Sequence, residues 1–191
     1  MIRRASFPRA GVLLAPVLLL ASACGYNRMQ TLDERINQAR AQIQTQLQRR
    51  ADLIPNLVNT VKGVTKQEDT VFISIANARA RLSGAVQRGD VPEMARADQE
   101  MSQGLARLLA IAENYPQLRS AENFRELQDQ LEGTENRIAV ARTDYNAAVA
   151  EYNALIRRFP TNLTAKVFGM DRPRPYFQAT PEAEQAPKVA F

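Results

Sequence analysis

The chain has no histidine and a single cysteine, Cys24, among its 191 residues. Without histidine there can be no Ser-His or Cys-His nucleophile pair, and the commonest zinc ligand is missing. One cysteine excludes an internal disulfide framework. No Gly-rich phosphate loop and no Asp-x-Asp calcium loop occur. Glu132 and Glu135 lie close in sequence but lack the histidine that usually completes a carboxylate metal site in a helical bundle. No Lys/Arg run is interleaved with aromatics, which leaves nucleic-acid binding unsupported. No catalytic residue, metal ligand, cofactor or small-molecule substrate is assigned on these grounds. Period-two alternation of apolar and polar residues, the mark of a half-buried strand, is absent as well.

What is present is helical periodicity. Phe124, Leu127, Leu131, Thr134, Ile138, Ala141, Tyr145, Ala148, Tyr152, Leu155 and Phe159 follow one another in strict steps of three and four. Such a heptad seam predicts a long helix packed along other helices.

The first 23 residues read as an export signal. Arg3, Arg4 and Arg9 form a basic lead, Val12 to Leu20 an apolar core broken only by Pro16, and Ala21-Ser22-Ala23 a small-residue cleavage site. The apolar run 11–23 falls short of the roughly 17–25 residues a membrane-spanning helix needs. Cys24 directly follows, so the segment resembles the lipobox of bacterial lipoproteins, although Ala21 stands where Leu is usual. Lipidation of Cys24 is expected, and by the same resemblance Gly25 implies sorting to the outer membrane. Plain cleavage after Ala23 and a retained anchor are the alternatives. Beyond the signal the balance is 22 basic against 20 acidic residues, a net +2, so the basic character of the whole chain stems partly from the signal.

Residues 24–30 form a short lead. Thr31 with Glu34 makes a capping box, opening a stripe of Leu32, Ile36, Ala39, Ile43, Leu47, Ala51 and Ile54. Pro55 is expected to kink or break this helix, with the pattern resuming over about 56–83. Ser83 to Val91 reads as a loop. Pro92 opens a helix carrying Met94, Ala97, Met101, Leu105, Leu108 and Ala112, which ends at Tyr115-Pro116. The long seam helix is expected from Arg119 to Pro160, one more turn over 163–169, and an extended segment at 172–177. The domain plan is a signal at 1–23, a helical domain at 31–177 and a disordered tail at 178–191. The predicted fold is all-α, an elongated antiparallel four-helix bundle whose first long helix is kinked at Pro55.

Polar residues cluster beside that proline. Arg49, Arg50 and Asp52 precede it and Asn56 and Asn59 follow. They form a candidate polar binding patch, with register control between helices as the competing structural reading. Tyr145-Asn146 recurs seven residues later as Tyr152-Asn153, where the asparagines are expected to bond across helices. Gly133, inside the long helix, is expected to admit a close-packed neighbour.

These residues also carry a family likeness. Arg49-Arg50-Ala51-Asp52-Leu53-Ile54-Pro55-Asn56-Leu57-Val58 followed by Val61-Lys62-Gly63 is very similar to the signature of the LemA family. So are Ala112-Glu113-Asn114-Tyr115-Pro116, Glu122-Asn123-Phe124, 131–138, Tyr145-Asn146, Tyr152-Asn153, Phe159-Pro160 and Pro175-Tyr176-Phe177. The likeness covers about residues 27–177. It departs at the N-terminus, where family members usually carry a transmembrane segment. It departs again before the Arg-Arg motif, where Ile43 stands near the place of a frequent tryptophan. The resemblance implies a membrane-attached helical bundle of undefined biochemical role, and no catalytic residues come with it. The expected function is therefore non-enzymatic: a cell-envelope protein facing the periplasm, held to the membrane through Cys24, acting as a scaffold or binding an envelope protein partner. The alternative is a carboxylate-dependent enzyme acting on cell-wall material, which requires two acids facing each other across a cleft.

Overall fold

The computed structural model describes residues 10–64 and 69–178. Within them every regular element is a helix: α1 Ala10–Lys62, α2 Asp69–Arg88, α3 Val91–Ala112, α4 Pro116–Ser120, α5 Glu122–Leu155 and α6 Thr161–Val167. The all-α expectation therefore holds for the described residues. The first nine residues of the expected signal and all but the first residue of the expected tail lie outside them. The chain forms two compact units. One joins the described part of Met1–Asn37 to Ala147–Arg174, and the other joins Gln38–Asn146 to the described part of Pro175–Phe191.

Of the kink or break expected at Pro55, the break is not there. Helix α1 runs through it and ends at Lys62, with turns at Gly63 and Val64. The reason lies one turn back. A proline at 55 cannot donate to the carbonyl of Ala51, but Arg79 of α2 does so instead, its Nε lying 2.8 Å from Ala51 O. The core stripe of α1 accordingly continues in register past the proline, through Ile54, Leu57 and Val61, all buried. Val58, the residue expected to resume the stripe, is only half-buried.

The loop expected over 83–91 shrinks to Gly89 and Asp90. Helix α2 continues through Gly84 to Arg88. It ends where Gly89 takes φ +67°, a conformation that favours glycine. The Asp90 amide then reaches back 3.1 Å to Ala85 O. Asp90 also caps α3, its Oδ1 accepting from the Glu93 amide at 3.2 Å, and Pro92 occupies the first turn as expected.

Helices α2 and α3 pack closely at Gly104, where a Cβ would stand 2.9 Å from Ile75 Cγ1. Gly133 does not play the part expected of it. A Cβ there would meet only the guanidinium of Arg137, one turn along its own helix. The α5 seam holds from Phe124 to Tyr152, with Leu127 and Leu131 half-buried. It fails at Phe159, which is exposed because α5 stops at Leu155 rather than Pro160.

Candidate functional site

The expected polar patch divides into an outward and an inward part. Arg49, Asp52, Asn56 and Asn59 are spaced three, four and three residues apart, and all four are exposed on one stripe of α1. Asp52 accepts from Gln48 Nε2 at 2.9 Å. Arg50 lies beside this stripe but turns into the core, where it is 5% exposed. The structure thus does not bring the five residues together. Among the described residues, Asn56 and Asn59 do not bond across helices, and of the five Arg50 is the buried one.

Arg50 belongs to a buried ionic cluster assembled from three helices. Asp98 of α3 is fully buried. Its Oδ1 accepts from Arg50 Nη1 at 2.8 Å, and its Oδ2 accepts from Arg142 of α5. Arg50 Nη2 also donates to Ser102 Oγ at 3.1 Å, and Ser102 Oγ donates in turn to the Asp98 carbonyl at 3.0 Å. Glu135 Oε2 approaches Arg50 Nη1 to 2.5 Å as an ion-pair contact. Two cations and two anions balance, which a buried charge group requires. Burial lowers the Arg50 guanidinium below its ordinary range, opposed by Glu135. Burial lowers Arg142 as well, reinforced by repulsion from Arg50. The Nε atoms of both arginines are buried without a hydrogen-bond partner.

The Asp98 position was within reach of the sequence. Val91, Met94, Asp98, Met101, Leu105, Leu108 and Ala112 step by three and four, and all are buried. A carboxylate on that seam needs a buried cation. Arg50 lies in register with Leu47, Ile54, Leu57 and Val61 on the α1 seam and supplies one.

Beside the cluster lies an open groove of about 400 Å³ lined by Arg50, Ser102, Leu105, Leu109, Glu132 and Glu135, among others. Both of its acids sit on α5 three residues apart, hence on one wall. The facing wall from α3 offers Ser102, Leu105, Ala106 and Leu109 and no carboxylate. This is not the opposed pair that glycosidic hydrolysis uses. No group of three or more His, Cys, Asp or Glu side chains among the described residues is arranged to hold a metal ion.

The Tyr-Asn repeats serve a different purpose from the one expected. Within one unit, Asn146 Nδ2 donates to Phe177 O at 3.0 Å while its Oδ1 accepts from the Phe177 amide at 2.8 Å. Tyr145 donates to Pro175 O at 2.9 Å, and Arg142 stacks on the Phe177 ring at 5.0 Å. Within the other unit, Asn153 holds both the carbonyl and the amide of Arg174, at 2.9 and 2.8 Å, and Tyr152 donates to Met170 O at 3.0 Å. The asparagines therefore grip the extended C-terminal segment rather than another helix. Cys24 falls within helix α1, and no helix of the described residues is long and apolar enough to cross a membrane.

Among known proteins, the chain is similar to magnetosome protein MamQ 2 and magnetosome protein MamQ 1 of Paramagnetospirillum magneticum, each 28% identical over 182 residues. It is likewise similar to magnetosome protein MamQ of Magnetospirillum gryphiswaldense, 28% identical over 184 residues. Each alignment covers 83% of this chain, and the chain spans 66% of the length of each relative. The sequence pattern of the LemA family matches residues 39–191. That is most of the chain and includes the Arg50 and Asp98 seams and both Tyr-Asn grips, and the protein belongs to the LemA family.

Proposed function

We propose that this protein is a non-enzymatic, membrane-attached component of the bacterial cell envelope whose helices, packed as an antiparallel four-helix bundle, hold an envelope protein partner. Its N-terminus is processed at Ala23, and Cys24 carries the lipid that anchors it, facing the periplasm. Gly25 favours the outer membrane.

The observation that carries the reading is the division of the polar residues around Pro55. The charges at the heart of the molecule neutralise one another, as Arg50 and Arg142 do with Asp98. The Arg49, Asp52, Asn56 and Asn59 stripe stays at the surface. The first group rigidifies, and the second is available to a partner. The relatives' name assigns them to the magnetosome and names no reaction, in keeping with a non-enzymatic role.

The test is photo-crosslinking in intact cells from a reactive residue placed at Asn59. Capture of one envelope protein, lost in an Asn56→Ala variant of unchanged melting temperature, is the expected result. Unaltered capture by Asn56→Ala together with Arg49→Ala would move the partner surface elsewhere. The enzymatic alternative rests on Glu132 and Glu135 in the groove. It would be revived by a cell-wall hydrolysis activity abolished by Glu135→Gln in folded protein.

A further inference from the structure

The unit that contains α6 buries Leu32, Ile36, Val149 and Tyr152, yet four large apolar side chains around α6 stay at its surface. Leu163 and Val167, one helical turn apart on α6, are 55% and 79% exposed. Phe159 and Phe168, flanking the two ends of the helix, are 79% and 57% exposed. Isolated exposed apolar residues are ordinary, but four within residues 159–168 concentrate apolar surface around one seven-residue helix.

The stretch around α6 is basic, with Glu151 and Asp171 just outside it. Residues 152–170 contain Arg157, Arg158 and Lys166 and no acid. None of the three cations has an ion-pair partner among the described residues.

The patch lies beside the first residues after Cys24. A Cβ on Gly25 would stand 3.4 Å from Thr161 Oγ1, and the rings of Tyr26 and Phe168 lie 4.6 Å apart. The residue next to the candidate lipid attachment point therefore touches the helix that exposes the apolar surface. Aromatic and aliphatic side chains flanked by unpaired cations are the composition of interfacial membrane contacts. The apolar groups enter the acyl boundary, and the cations meet anionic headgroups.

We propose that the Phe159, Leu163, Val167 and Phe168 face is a lipid-docking surface that seats the protein on an anionic bilayer as a second attachment beside the N-terminal anchor. It rests on the reading of the chain as membrane-attached. An anchor at one point leaves the protein free to tilt on the membrane, and a second apolar contact sets the orientation of attachment.

The chain has no tryptophan, so Leu163→Trp introduces a single indole at the proposed contact, and Val140→Trp places one at a site 63% exposed on α5. The full-length proteins, purified with their anchor, are reconstituted into vesicles of equal parts phosphatidylcholine and phosphatidylglycerol, with and without brominated acyl chains. Flotation reports attachment, and quenching reports contact with lipid.

The expected result is that both proteins float and that only the Leu163→Trp indole is blue-shifted and quenched by bromolipid. Floating protein whose Leu163→Trp indole is unquenched overturns the docking while leaving attachment intact. A blue shift without quenching also overturns it, because protein, either a second copy or residues 179–191, would then cover the face. Protein that does not float overturns the attachment reading and the docking with it. If Leu163→Trp fails to fold, Val167→Trp on the same face serves as the reporter.

Discussion

Asp98 is fully buried and holds two guanidinium groups. Removing one partner of a buried ion pair leaves an uncompensated charge, which typically costs about 3–5 kcal/mol. Asp98→Asn should destabilise the protein by that order, read as a lower urea midpoint with an unchanged slope. Replacing Arg50, Asp98, Glu135 and Arg142 together by Met, Leu, Gln and Met should cost less than the single change, since no charge is then stranded. Tyr152 offers a test by pH. Its burial raises the phenol above its ordinary 10.0, partly offset by Arg174. A folded-state value above the unfolded one means the neutral phenol is favoured by folding. That stability is fully present below about pH 10 and is lost as the pH rises through the folded-state value. Unfolding midpoints followed from about pH 9 to about pH 11 should therefore fall in the wild type, and less so in Tyr152→Phe. At this scale the sequence was partly legible. The 3-4 spacing passes through Asp98 and Arg50 as regularly as through their apolar neighbours. Their burial is hidden only by the assumption that charged residues leave a seam.

At the scale of elements, the least legible feature was where α1 ends. Proline inside a helix removes one donor and normally breaks it. The structure keeps the helix because a donor arrives from 28 residues away. Nothing local to residue 55 announces Arg79, so the error was one of range rather than of pattern. The compensation is testable as a cycle. Arg79→Met should strand the Ala51 carbonyl and cost roughly 1.5–3 kcal/mol, the worth of a hydrogen bond from a charged group. Pro55→Ala restores the helical amide, so the same Arg79→Met change made in that background should cost much less. Equal costs in both backgrounds, measured by chemical unfolding, would show that Arg79 does not substitute for the missing amide. Gly84 and Gly133 misled as well. Gly84 looked like a loop signal yet sits in uninterrupted helix, and Gly133 lies inside α5 as expected but meets only Arg137 of its own helix. The glycine that a neighbouring helix needs is Gly104, in a stretch whose periodicity gave no reason to single it out.

For the molecule as a whole, the helical class was legible because the evidence is distributed: ten seam positions on one helix outweigh any single misread turn. The mode of attachment rests on few residues and must be settled chemically. Cys24 is expected to be the first residue of the mature protein and to carry lipid, visible as added mass on the N-terminal peptide. Wild-type protein should resist extraction by high salt and partition into detergent. Cys24→Ser should yield either a soluble periplasmic protein or an unprocessed precursor. An unmodified Cys24 at the mature N-terminus would rule out lipidation, and an intact Met1 would point to a retained anchor.

The two asparagine grips also set a length. Seven residues of helix advance about 10.5 Å, and three residues of extended chain advance about 10 Å. Asn153 and Asn146 are seven apart on α5, and the residues they hold, Arg174 and Phe177, are three apart. Helix and extended segment thus share a common measure, like two rulers with coinciding marks. Both grips contact main-chain atoms only, so the identity of residues 175 and 176 matters less to them than their number. Lengthening or shortening that stretch by one residue removes the match between the two spacings, whatever the side chains.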